Sequence, residues 1–161
     1  MSLTLSHGDA ATGYSFDQYT ASAGTLSGTT LTMPDADVTI SATWTKNTKT
    51  LAETATDNQA WLTENDGQVY EITLTRTLQA GGWNTFAVPF NVSSTMLGYL
   101  TSQYGMSVKQ LASTTLENEG KTLMLTFTDA TEMVAGTPYL VKVTTDFDFS
   151  AQALPDVVIS K

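Results

Sequence analysis

Residues 81–90 read Gly-Gly-Trp-Asn-Thr-Phe-Ala-Val-Pro-Phe, and residues 135–143 read Ala-Gly-Thr-Pro-Tyr-Leu-Val-Lys-Val. Phe86, Val88 and Phe90 alternate in the first string, and Tyr139, Val141 and Val143 in the second. A period of two over so few residues reads as short strands, each with one face turned to a core. Pro89 brings no N–H to a ladder, so the first string predicts a strand that lies at a sheet edge or is ending. An all-β fold is the expectation these strings set.

Outward from them the same reading continues. Tyr70, Ile72, Leu74 and Leu78 fall on one face, with Glu71, Thr73, Thr75 and Thr77 on the other. Met96, Leu97, Leu100 and Tyr104 switch to helical spacing. Ser93 or Ser94 caps the start of that helix and Gly105 ends it. It is the one helix the pattern predicts. Val108–Leu116 and Lys121–Thr128, joined by Glu117-Asn118-Glu119-Gly120, read as a hairpin whose buried stripe is Leu123, Leu125 and Phe127. Asp129 and Glu132 have capping-box spacing and predict one helical turn. Val157 and Ile159 form a last short strand. Residues 51–67 are mixed, with Trp61-Leu62 the strong apolar pair and Asn65-Asp66-Gly67 a turn.

Residues 1–46 form a separate compositional unit of short alternating runs. Leu3 and Leu5, Tyr14 and Phe16, Leu31 and Met33, and Val38 through Trp44 carry them. Turn chemistry at Gly8-Asp9, Gly24, Gly28 and Pro34-Asp35 divides them. Residues 47–50 read as a linker within the polar run Thr45-Lys46-Asn47-Thr48-Lys49-Thr50, and residues 51–161 as the second unit.

Two resemblances attach to these units. Gly13-Tyr14-Ser15-Phe16, Thr32-Met33-Pro34 through Val38-Thr39, and Ala42-Thr43-Trp44 are similar to bacterial repeats of the internalin-B type, and the match covers the later part of such a repeat. That resemblance implies a small, partial β-grasp-like unit strung along a surface protein, with no enzymatic activity. Residues 51–161 resemble modules of large surface and secreted proteins of Bacteroides-type bacteria. The resemblance rests on Leu74 through Leu78, Gly81–Phe90, Leu123 through Thr128 and Ala135–Val143. It implies a β-sandwich-like unit, expected to be truncated at its C-terminal side, in which Trp83, Asn84, Pro89, Phe90, Gly136, Pro138 and Tyr139 are structural motif residues.

Composition narrows the function classes. Charged residues make up 14% of the 161, and the net charge is −9, from 16 acidic against 7 basic side chains. Such a chain repels phosphate backbones and anionic lipid, so nucleic acid and membrane surfaces are poor partners. No apolar run approaches the length that spans a bilayer, so no membrane insertion of this segment is expected. Cysteine is absent, which removes disulfides, thiolate metal sites and cysteine nucleophiles.

The chemistry-bearing residues are sparse. His7 is the single histidine, and a Ser-His-Asp triad would have to use it. It extends the Leu3, Leu5 alternation into a turn and reads as a strand-end residue. Asp35/Asp37 and Asp146/Asp148 are turn-proximal pairs, too few in oxygens for a complete Ca²⁺ loop. Arg76, the single arginine, sits on the apolar face of its strand, where it either pairs with an acid or snorkels. Trp44 continues an apolar stripe and Trp83 packs in its string, which leaves Trp61 as the candidate ligand platform. The expectation is a non-enzymatic interaction or spacer module of a larger adhesin-like protein, cell-surface or secreted. It needs no cofactor, and its partner is an extracellular protein or glycan. The alternative is a carbohydrate-binding module of a glycan-degrading system.

Overall fold

The computed structural model describes residues 1–160. Strand accounts for 46% of it and helix for 11%, which makes the fold all-β with helical insertions. The chain divides into two compact units, Met1–Thr48 and Lys49 onward.

The first unit holds β1 (Ser2–Thr4), β2 (Tyr14–Ala21), β3 (Thr25–Ser27), β4 (Thr30–Thr32) and β5 (Ile40–Lys46). β1, β4 and β3 form one antiparallel sheet in that order, and β2 pairs with β5. The β2–β5 ladder is bulged between Phe16 and Gln18. Its buried apolar residues are Tyr19 and Leu31, with Phe16 and Trp44 half-buried beside Tyr19. A core this small is a marginal source of stability.

The second unit is larger. It runs β6 (Thr48–Leu51), α1 (Asn58–Glu64), β7 (Val69–Leu74), β8 (Thr77–Leu78), β9 (Asn84–Phe86), α2 (Ser94–Tyr104), β10 (Ser107–Glu117), β11 (Thr122–Asp129), β12 (Tyr139–Lys142), β13 (Phe147–Asp148) and β14 (Leu154–Val158). Three sheets result, ordered β11-β10-β12-β9, β14-β7-β6 and β13-β8. One core joins them. Phe90, Ile72, Leu78, Phe149, Val141 and Ile159 are at its centre, and α2 contributes Leu97 and Leu100. The expected core face of β7 and β8 is the observed one, with Ile72, Leu74 and Leu78 buried.

α2 is built as its sequence dictates. Ser93 is the N-cap and its hydroxyl accepts from the Met96 N–H at 3.3 Å. Gly105 ends it with a left-handed φ of 61°, and a Cβ there would meet the Thr144 hydroxyl at 2.7 Å.

Four expectations are corrected. A second helix, α1, forms where the pattern is mixed. It is a single short element held from its flanks: Asn58 Nδ2 donates to the Ala52 carbonyl, and Asn65 to the Trp61 carbonyl. The stretch 47–50 is no free linker. Asn47 N–H donates to the Gly13 carbonyl, and Thr48 opens β6, which joins the sheet of β7. Asp129 ends β11 instead of capping a turn of helix, because the chain beyond it returns to bridge Met133 with Val92. The Leu123, Leu125, Phe127 stripe is not buried: all three are exposed.

Candidate functional site

The two strings that decide the fold are neighbours. β9 and β12 pair antiparallel, with Phe86 opposite Tyr139, Thr85 opposite Leu140 and Asn84 opposite Val141. β9 lies at the edge of its sheet, as Pro89 requires of a strand that ends beside it.

Several string residues brace this pairing. The Asn84 amide ties the Gly81-Gly82 turn shut. Its Oδ1 accepts from Gln79 N–H at 3.0 Å, and its Nδ2 donates to the Gln79 carbonyl at 2.9 Å. Gly136 takes a φ of 71°, a region costly for any residue with a Cβ, and its N–H donates to the Val88 carbonyl at 2.8 Å. The Tyr139 ring is buried while its hydroxyl accepts from Val134 N–H at 2.8 Å. Phe90 is fully buried and its backbone bridges Ile159. Pro89 is half-buried and its carbonyl accepts from Ser160 N–H, while Pro138 is exposed just before β12.

Of the two tryptophans of the second unit, Trp61 is half-buried and Trp83 is exposed. Trp61 packs edge-on against Tyr70 at 4.9 Å, and the Lys49 ammonium lies 5.1 Å from its ring centroid. The ammonium occupies ring face that a platform would offer to a sugar. Trp83, expected to pack, is 48% exposed at the mouth of β9. The double glycine before it offers no side chain to cover the indole.

Arg76 both pairs and stays partly wet. Its guanidinium meets the Glu53 carboxylate, and Nη2 donates to the Thr85 carbonyl at 3.1 Å. It lines a cleft of about 170 Å³ with Phe86, Val88 and Pro89. The buried Nε has no protein partner, so in that cleft a buried donor asks for an acceptor or a water, as the buried Tyr19 hydroxyl does in the first unit.

His7 stacks on Phe16 with ring centroids 4.1 Å apart and meets Trp44 edge-on at 5.0 Å. Its Nδ1 lies 2.7 Å from the Gly8 carbonyl. A carbonyl only accepts, so Nδ1 is the donor in that contact, and the ring packs flat on Phe16. Asp35 and Asp37 stand exposed in the turn between β4 and β5. Asp146 accepts from Ala80 N–H at 2.8 Å. Asp148 accepts from both the hydroxyl and the N–H of Ser150, and these bonds hold its carboxyl below the usual aspartate range.

A surface the sequence pattern does not foresee is the hairpin of β10 and β11. Val108 and Val141, opposite one another, face the core, so the register fixes which parity is inward. Counting along β11, Thr128, Thr126 and Met124 fall on the core-facing side. Phe127, Leu125 and Leu123 fall on the other, with Leu111 opposite Phe127 and Leu116 opposite Leu123. The apolar stripe is therefore out of phase with the core. β12 covers β10 only over Ser107–Gln110, so the outer part of the hairpin projects beyond the sheet. Alternation revealed the stripe, but the phase relative to the core depends on pairing.

The sequence model of the divergent InlB B-repeat domain family matches residues 7–48. The match lies inside the first unit, whose β2–β5 sheet carries its Tyr14, Phe16 and Trp44 positions. Comparison with curated proteins and with solved structures gives no match.

Proposed function

We propose that this chain is a non-enzymatic interaction or spacer module of a larger bacterial cell-surface or secreted, adhesin-like protein. The observation that carries the reading is the projecting hairpin, where Leu111, Leu116, Leu123, Leu125 and Phe127 are exposed on one face. Monomeric proteins rarely leave contiguous apolar patches of this kind uncovered unless something docks there. Similarity of residues 7–48 to a divergent InlB B-repeat supports a place among repeat modules of bacterial surface proteins. The Bacteroides-type strings of the second unit point the same way. Its partner is an extracellular protein or a glycan. The net charge of −9 argues against nucleic acid. No helix among the described residues is long and apolar enough to cross a membrane.

A carbohydrate-binding role is the second reading, and exposed Trp83 favours it, since a bare indole beside a glycine turn is a stacking surface for a sugar ring. A glycan array, a polysaccharide hydrolysis panel and calcium titration calorimetry separate the possibilities. The proposal expects no turnover, no tight calcium binding, and single-module affinities on the order of micromolar or weaker. Saturable, tight binding to one polysaccharide, lost in Trp83→Ala, moves the assignment to the carbohydrate-binding alternative. Hydrolysis of any substrate on the panel sinks both.

A further inference from the structure

We infer that the free edge of β11 is a self-recognition strand, which pairs antiparallel with β11 of a second copy of this chain about a two-fold axis at Leu125. The inference stands on edge geometry and holds whether the module spaces or adheres.

β11 ends its sheet, so one row of its backbone N–H and C=O groups has no strand beside it. Soluble proteins blunt such an edge with charge, proline or a bulge. None of these devices is present from Thr122 to Thr128. The bulge of this ladder lies on the β10 side, where Ala112 is skipped between Leu111 and Ser113, and the outer edge of β11 stays regular.

The strand is complementary to itself. An antiparallel pair centred on Leu125 sets Leu125 against Leu125, Leu123 against Phe127 and Thr122 against Thr128. The charges bracketing the strand then also match, because Lys121 of each copy falls opposite Asp129 of the other. Asp129 already pairs with Lys109 at 2.7 Å, yet its side chain is 80% exposed and has room for a second cation. Directly opposed residues share a face, so the apolar stripes of the two copies merge into one band across the axis. A shift of register by two residues in either direction separates both charge pairs and sets a residue of the apolar stripe against a charge, Leu123 against Asp129 one way and Phe127 against Lys121 the other. An unrelated partner strand would have to reproduce this charge and apolar pattern; a second copy has it by identity.

The chain has no cysteine, so a single introduced one reports the geometry. Opposed Cα atoms in an antiparallel pair are about 4.5–5.5 Å apart, inside the range a disulfide spans. Leu125→Cys is expected to crosslink the full chain to a dimer under mild oxidation. Leu123→Cys, more exposed than Leu125 but opposite Phe127, is not. Lys121→Asp and Asp129→Lys should each weaken the dimer by about tenfold or more in sedimentation equilibrium, while an equimolar mixture of the two restores it as a heterodimer. Circular dichroism on each variant checks that the monomer fold is intact. A chain that stays monomeric to millimolar concentration overturns the inference. So does equal crosslinking of both cysteine variants, which marks random collision. A dimer that Leu125→Cys fails to lock also overturns it. That result would point to stripes packed face to face, whose sheets stand about 10 Å apart and are too distant for the bond.

Discussion

The β9–β12 pair and the outer half of the β10–β11 hairpin carry the same sequence pattern and meet opposite fates. Phe86, Tyr139 and Val141 alternate and are buried; Leu123, Leu125 and Phe127 alternate and are exposed. Composition does not separate them. The difference is phase and reach. Tyr139 and Val141 share the inward parity that Val108 sets, while the hairpin stripe has the outward parity and extends past the last residue β12 covers. Alternation identifies the two faces of a strand; whether a face is covered depends on what the rest of the chain places over it.

That comparison can be broken at its buried end first. Phe90→Ala removes a ring with no solvent exposure and is expected to cost about 3–5 kcal/mol. Chemical denaturation followed through the second unit measures it, and a loss near 1 kcal/mol would place Phe90 outside the core. Asn84→Ala tests the tie between the two strings. It releases the Gln79 N–H and carbonyl, groups that water can reach, so about 1–1.5 kcal/mol is expected.

Phe127→Ala sharpens the other side. In dilute protein its cost should be about 0.5–1 kcal/mol, because the ring is already partly in water. A cost matching that of Phe90→Ala would mean that the stripe is covered within the monomer. The smallest effect belongs to Asp148. Its folded carboxyl titrates below the ordinary range because Ser150 donates to it twice. The charged form is therefore favoured by folding. The contribution is present above the unfolded-state value and is lost as pH falls through the lowered folded one. A stability gap between the wild type and Asp148→Asn should close in acid; a gap that widens as pH falls would contradict the two Ser150 bonds.

Much of the second unit was legible because local and global signals agree there. The α2 caps at Ser93 and Gly105, the core face of β7 and the strand character of the two strings are all fixed by residue type and spacing, while the pairing of the strings is not. α1 was not, since a helix of two turns with one apolar pair gives no period to read, and its support comes from Asn58, Asn65 and Tyr70. Nor were the environments of the tryptophans. Trp61 is covered by Tyr70, nine residues on, and by Lys49, twelve residues back, while Trp83 is left bare by two glycines; each is a matter of neighbours in space. The polar run at 45–50 shows the same limit, because Thr and Lys serve a sheet as well as a loop once a partner strand is present.

The β14–β7 ladder, which sets Leu154 against Ile72 and Val157 against Tyr70, also has a consequence in time. The β10–β11 hairpin closes over a four-residue connection and should form within microseconds. Strand β14 must instead find β7 across nearly the whole second unit, an ordering cost met before any contact rewards it. On a ribosome the hairpin is complete while β14 has yet to be made. The rate at which the unit becomes protease-resistant should therefore follow the arrival of β14, and destabilising Val157 should slow it more than any change at the hairpin tip.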